Sequence, residues 1–238
     1  MRPTHVTRTW TLRIAAAILA AALAVPALAG PIIDWDPAYF YEPGATPTHS
    51  VPGASLSIVG VISAFGPPLD FLNANDPTKD YTFYVHGMIS NGTTTNPFPP
   101  FGNFYTTTYT PGLIEVYEGT PRNSVFDPNP PNANVPSTFT DGTLILAGTI
   151  SNLFWESNDF STFKSGSAEG HIIWTGGAYL AKVSPNGLPC PSLFTGGTTW
   201  MPNLMIDGYL FRHDGKMDLD CPVPVRGATW GHLKTLYR

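Results

Sequence analysis

Residues 54–65 read ASLSIVGVISAF and residues 143–155 read TLILAGTISNLFW. Each run has the length of a strand, is dominated by aliphatic and aromatic side chains, carries one internal Gly, and places an aliphatic residue two positions beyond it. A two-residue spacing is the period of a strand, and no 3.6-residue repeat competes with it. The pattern recurs at Gly87 in DYTFYVHGMIS (80–90), Gly170 in GSAEGHIIWTG (166–176) and Gly208 in LMIDGYLFRHDG (204–215). A mid-strand Gly weakens a strand and marks a bulge or bend. Five at equivalent places, Gly60, Gly87, Gly148, Gly170 and Gly208, point to a shared demand for curvature, as in barrels and tightly coiled sandwiches.

GNFYTTTYT (102–110), LIEVYEG (113–119) and AYLAKVS (178–184) complete about eight strand-like runs. The expected fold is therefore a single all-β domain of eight to ten mostly antiparallel strands, closed as a strongly curved barrel or packed as a sandwich. Two Pro-rich stretches, NGTTTNPFPPFGN (91–103) and GTPRNSVFDPNPPNANVPSTFTDG (119–142), read as long surface loops, because Pro fixes φ and removes a ladder donor. Residues 30–53, rich in Pro and aromatics, read as an extended segment draped over the domain.

The first 29 residues have the layout of an export signal. Arg2, Arg8 and Arg13 precede the apolar run IAAAILAAALAVPALAG, which closes on Ala27-Leu28-Ala29. Cleavage there leaves residues 30–221 as the β domain and 222–238 as a Pro-containing linker and tail. Removing the three Arg takes the formal charge from −5 to −8. A nucleic-acid partner is excluded by that balance, since phosphate recognition needs clustered Lys and Arg. No later segment is long and apolar enough to be a membrane-spanning helix. Cys190 and Cys221, the two cysteines, read as one disulfide in an oxidising compartment. On the chain-entropy model, closing that loop restrains the unfolded chain by about 3–4 kcal/mol.

Signatures of catalysis are thin. Gly166-Ser167-Ala168-Glu169-Gly170 places Ser beside the first Gly instead of at the centre of a nucleophile elbow. A sugar hydrolase would need two of Glu115, Glu118, Glu156 and Glu169 to face each other, but alternation makes them solvent-face residues. HDGKMDLDC offers Asp214, Asp218 and Asp220 as weak calcium candidates, yet Gly215 follows Asp214 directly, which suits a hairpin turn better than a calcium loop. The histidines form no pair at ligand spacing, so zinc has no support. No cofactor is expected. Trp35, Tyr39, Tyr41 and Trp155 are the candidate stacking platform for a ligand, against the core-filling role that most aromatics take in an all-β domain.

The chain ends TWGHLKTLYR (229–238). Pro222 and Pro224 make a stiff connector, beyond which the segment either docks on the body through Trp230 or stands free as an address. Trp230-Gly231-x-x-Lys234-x-x-Tyr237-Arg238 resembles a short ending found on varied exported bacterial proteins. That resemblance covers about ten residues and implies a sorting or surface-attachment role for Trp230, Gly231, Lys234, Tyr237 and Arg238. The expectation is thus a secreted cell-envelope or extracellular protein with a non-enzymatic structural or ligand-binding role. Its expected partners are a carbohydrate or cell-surface component, and sorting machinery through the tail. A carbohydrate-active hydrolase or a small-molecule carrier on the same scaffold is the alternative.

Overall fold

A computed structural model describes residues 31–126, 136–160, 164–184, 187–203 and 205–220. The signal segment 1–29, Cys221 and the whole tail, including Trp230, Gly231, Lys234, Tyr237 and Arg238, lie outside the described residues. Among these residues nine strands follow in chain order: β1 (Pro31–Tyr41), β2 (Ser55–Phe65), β3 (Asp80–Phe98), β4 (Gly102–Tyr109), β5 (Gly112–Gly119), β6 (Thr143–Asn158), β7 (Lys164–Gly176), β8 (Pro191–Trp200) and β9 (Phe211–Leu219). Among the described residues two single-turn helices, α1 (Ser137–Thr140) and α2 (Leu180–Val183), interrupt the connections before β6 and β8.

All pairings are antiparallel, and β9 returns to β1, so the sheet closes on itself as a barrel. Eight strands make the circuit; β4 is the extra one, and its position is informative. The first half of β3 pairs with β5 (Asp80↔Gly119 to His86↔Leu113), while the second half pairs with β4 (Ser90↔Tyr109 to Phe98↔Gly102). β6 divides in the same way, Thr143–Ile150 against β5 and Phe154–Asn158 against β4. β4 and β5 are therefore successive lengths of one path, separated at Thr110-Pro111, where Pro has no N–H to give the ladder. The topology is an up-and-down barrel with one wall prolonged beyond the rim.

Alternation fills the interior. Leu56, Ile58 and Ile62 of β2, Tyr81, Phe83 and Val85 of β3, and Ile114 and Val116 of β5 are buried in one core with Trp35, Phe40, Trp155, Phe194 and Phe211. Trp35 packs on Phe83 at 5.0 Å and on Phe194 at 4.8 Å between ring centroids, and Trp155 on Phe211 at 5.0 Å. Small barrels mix large and small inward residues to fit their bore, and here the mixing follows strict cross-strand partners. Gly60 faces Phe83, Gly148 faces Trp174, Gly170 faces Phe194, and Gly215 faces Trp35. A Cβ built at Gly60 would lie 2.2 Å from Phe83 Cε1, and one at Gly215 would lie 2.9 Å from Trp35 Cζ2. Gly60, Gly148 and Gly215 leave room for an aromatic ring from the next strand, whereas a Cβ at Gly170 would press on Leu153 and Ile150 of β6. Gly87 differs from them: with φ +73° it sits in a bulge where His86 and Gly87 together oppose Ser57.

Several expectations need correction. Residues 31–41 form barrel strand β1 instead of a draped segment, because Ile33, Trp35, Ala38 and Phe40 are fully buried between β2 and β9. AYLAKVS contains the single turn α2, and Val183 caps the core. Residues 191–200 form β8, a strand that its Pro and Gly pair had concealed. Gly208 lies in a connection with φ +91°, outside any strand. Asp214-Gly215 runs through the middle of β9 and makes no turn. Finally, Asn91–Phe98 is no loop: it continues β3, and only residues 99–101 turn.

The connections β1–β2, β3–β4, β6–β7 and β8–β9 gather at one end of the barrel. The other end holds the β2–β3, β5–β6 and β7–β8 connections, together with residues 31 and 220, where the described chain begins and finishes. Outside the wall, Phe139 of α1 packs with Tyr39, Val59 and Tyr209 in a second, smaller core. Asp80, itself buried, ties the β5–β6 connection down by accepting from the Asn123 and Ser124 backbone N–H at 3.1 and 2.7 Å.

Candidate interaction surface at one end of the barrel

The residues that sequence alone nominated as a platform do not converge. Trp35 lies inside the barrel, where its Nε1 donates to His213 Nδ1 at 3.1 Å. Trp155 is also inside and donates to the Tyr109 hydroxyl at 2.7 Å. Tyr39 and Tyr41 are on the outer wall, packed with Tyr209, and Tyr39 also meets Phe126. The aromatic platform of Trp35, Tyr39, Tyr41 and Trp155 is thus split between two sides of the wall, because the register shift between Trp35 and Ala38 moves Tyr39 and Tyr41 to the outer face.

The carboxylates likewise stay apart from any groove. Glu115, Glu156 and Glu169 alternate with the buried residues of their strands and so project from the outer wall, whereas Glu118 shares the parity of Ile114 and Val116, pairs in register with the buried Tyr81 and sits at the rim of the bore. Glu115 accepts from the Tyr117 hydroxyl at 2.8 Å and lies 3.5 Å from His86 Nε2; Glu118 pairs with Lys79 at 2.5 Å. For calcium, Asp218 is held by Lys216 at 2.9 Å, and among the described residues no three His, Cys, Asp or Glu side chains converge as a metal site. Asp214, Asp218 and Asp220 are therefore no cation cage. Some burial, with Asp36 and Asp34 close by, raises the pKa of Asp214.

At the end that bears the β1–β2 connection, a buried polar chain closes the bore. Glu42 is almost fully buried and accepts from the Ser50 hydroxyl on one oxygen and from the Tyr109 hydroxyl on the other, the latter at 2.5 Å. Ser50 also meets Ser90 Oγ at 2.5 Å, and its backbone N–H donates to Thr93 Oγ1 at 2.7 Å. Burial raises the Glu42 pKa against the lowering effect of these donors, and burial beside Glu42 pushes the Tyr109 hydroxyl far up. The hydroxyls of Ser50 and Ser90 are as inaccessible as the carboxylate, so this chain is a clamp that seats residues 42–54 on the barrel and offers no nucleophile to solvent.

Beyond that clamp the prolonged wall ends in an apolar tip. Phe98 closes β3, Phe101 stands in the turn, Phe104 opens β4, and Phe160 follows β6. All four are exposed, at 47, 62, 37 and 39 % of their surface. They nevertheless touch one another: Phe98 lies 5.7 Å from Phe101, 5.5 Å from Phe104 and 5.9 Å from Phe160, and Phe104 lies 4.9 Å from Phe160. Together they show roughly 300–450 Å² of aromatic surface, taking about 150–250 Å² for a whole ring side chain. Contiguous apolar patches of that size on a monomer are often interaction sites.

The tip is held rigidly from behind. Register places Phe98 and Phe104 on one face of the sheet and Asn103 and Tyr105 on the other. On that second face Asp159 accepts from the Asn103 backbone N–H at 2.7 Å, from Asn103 Nδ2 at 3.2 Å and from the Tyr105 hydroxyl at 2.7 Å. These donors hold the Asp159 carboxyl down to about 2. They knot the β3–β4 turn to the β6–β7 connection, so the four rings form a fixed array instead of four loose side chains. Gly102 completes the knot: its φ is +131°, and a Cβ there would fall 2.4 Å from Asp159 Oδ1.

Sequence reasoning passed over this surface because PFPPF was read as a loop. A usable signal was present nonetheless. From Tyr81 to Ile114 the chain contains no Asp, Glu, Lys or Arg, although such residues make up 12 % of the whole. A hairpin arm with Thr and Asn along its stem and Phe and Pro at its tip performs no acid–base chemistry; it can offer apolar surface and stacking. Comparison with known proteins adds no family: no protein-family model, curated protein or solved structure matches the chain.

Proposed function

We propose that this chain is an exported, non-enzymatic binding protein of the cell envelope or extracellular space, which engages a cell-surface component through its phenylalanine tip. The observation that carries this reading is the exposed and pre-organised array of Phe98, Phe101, Phe104 and Phe160. A rigid array loses little conformational freedom on binding. The enzymatic and carrier readings find less support. Their carboxylates are dispersed, three on the outer wall and Glu118 at the rim away from the tip, and the barrel bore is filled by Trp35, Phe83, Phe194 and their neighbours. Residues 1–29 supply the export signal in this proposal, and the WGxxKxxYR ending supplies a sorting or attachment handle.

The test is binding of the purified protein to envelope fragments of the source cell. The Phe98→Ser/Phe101→Ser variant should lose at least about tenfold in affinity, since each exposed ring carries on the order of 100 Å² of apolar surface. Equal binding of variant and wild type overturns the proposal. The handle is tested by fusing residues 226–238 to an exported reporter: Trp230→Ala should abolish its retention at the surface. Cys190 is buried, and no free cysteine occurs among the described residues. Non-reducing peptide mapping should find Cys190 joined to Cys221.

A further inference from the structure

Resting on that reading, we infer that the occupant of the tip is the interface of a lipid bilayer, into which the four phenylalanines insert. Three observations lead there. First, the patch is small: about 300–450 Å² falls well short of the roughly 800 Å² per partner that a stable protein–protein contact buries, so a second copy or a large protein would leave most of its interface unmade. A soft apolar phase needs no complementary shape and takes up whatever area is offered.

Second, the arm is uncharged from Tyr81 to Ile114. Protein interfaces surround an apolar centre with a polar, often charged rim. Here the hydroxyls that the arm exposes at its rim are those of Thr94, Thr95 and Thr108, with Glu156 of β6 behind them accepting from Thr106 at 3.4 Å. Hydroxyls can exchange water for lipid headgroups without stripping an ion of its hydration, which is the large cost of bringing charge to a membrane. Asp159, the carboxylate nearest the tip, is already engaged by Asn103 and Tyr105.

Third, the geometry suits shallow insertion. The rings sit at the ends of two connections that point the same way, beyond the rim, with Pro97, Pro99 and Pro100 among them. Pro lacks an N–H, so three backbone donors that would need partners in an apolar phase are missing from the tip. The depth reached is that of the headgroup–acyl boundary, as for other surface-bound apolar elements.

The experiment is co-sedimentation with protein-free phosphatidylcholine vesicles. The wild type should bind them, with little change between low and high salt because no counter-charge is involved. Phe98→Ser/Phe101→Ser should lower partitioning by about a hundredfold or more. Phe71→Ser, which removes an exposed ring at the opposite end, should leave it unchanged. Phe101→Trp supplies a second readout that does not depend on the double variant folding: its added emission should shift blue with vesicles and be quenched by lipids brominated on the acyl chain. The inference is overturned if the wild type ignores phosphatidylcholine, if it binds only anionic vesicles and is released by salt, or if the tip variant binds equally. Should envelope fragments still capture the protein in a tip-dependent way while lipid vesicles do not, the lipid inference falls and the binding reading stands. If neither binds, both fall.

Discussion

Acidification should destabilise this barrel chiefly through His213. It is fully buried on β9, with Phe194 stacked on it at 5.3 Å and the rings of Trp35 and Phe40 at 5.5 and 5.3 Å. Nδ1 accepts from Trp35 Nε1, which fixes the neutral ring with its proton on Nε2, facing the Gly196 backbone. Burial lowers its pKa from 6.5 to about 3. The sign follows directly. The unfolded chain takes up a proton near pH 6.5, the folded chain refuses it until about pH 3, so stability is intact above 6.5 and falls as pH drops through that window. Each pH unit costs about 1.4 kcal/mol, giving roughly 2 kcal/mol lost by pH 5 and about 5 kcal/mol once pH 3 is passed. Glu42 works in the opposite sense: its raised pKa means that the folded state takes up a proton before the unfolded one, which returns some stability on acidification. The comparison that isolates His213 is urea unfolding of wild type and His213→Asn at pH 7 and pH 5. Asn keeps an acceptor for Trp35 and does not titrate. The variant should be less stable at pH 7, but its loss between the two pH values should be smaller than the wild type's by about 2 kcal/mol. Equal losses would show that the imidazole does not titrate as its burial requires.

The glycine–aromatic pairing makes a sharper steric prediction. Gly60→Ala, whose Cβ would press into Phe83 and Ala38, should cost about 1–3 kcal/mol by urea midpoint, whereas Gly197→Ala, which meets nothing within 4 Å, should stay within about 0.5 kcal/mol of wild type. Glu42→Ala should cost on the order of 3 kcal/mol, because the Ser50 and Tyr109 hydroxyls lose their shared buried acceptor; a calorimetric change below about 1 kcal/mol would deny the clamp its role. Asp159→Ala should leave the melting temperature nearly unchanged but speed amide exchange at Asn103, whose N–H loses its carboxylate acceptor. Protection of that amide at the wild-type level would mean that the tip is held by something other than Asp159.

What the sequence made legible follows from which interactions are local. Alternation in 54–65, 80–90 and 143–155 reads directly as half-buried strands, and the resulting all-β, curved, mostly antiparallel class matches the barrel. Closure was not readable, since it depends on β1 meeting β9 across more than 170 residues, as in Ile33↔Met217. Gly60, Gly148 and Gly170 stood out in sequence, but their purpose needs the assembled barrel: a Cβ would meet Phe83 at Gly60, the Ile173 carbonyl and Trp174 at Gly148, and Leu153 and Ile150 at Gly170. PSLFTGGTTW was missed because Gly196-Gly197 mimics a turn; in the barrel Gly196 pairs with Gly215, which faces Trp35 on its other side. The candidate platform failed for a related reason. Abundance of aromatics says nothing about which wall they face, and Trp35 and Tyr39, four residues apart, fall on opposite sides of it after a register shift between Trp35 and Ala38. The exposed rings lay in PFPPF, where prolines argued for a loop; β3 tolerates Pro97 there because the sheet is about to end.

The break at Thr110-Pro111 gives the molecule a division that natural variation can exploit. β5 belongs to the closed circuit, and any change in its length would alter the stagger on which closure depends. β4 does not carry that burden. Two residues added to β3 beyond Thr93 and two to β4 before Thr107, with matching pairs in β6 and β7 beside them, would lengthen the arm by about 7 Å and keep every side chain on its present face. Related chains can therefore differ in reach while sharing one unchanged body, and the distance from rim to tip becomes a heritable setting independent of folding.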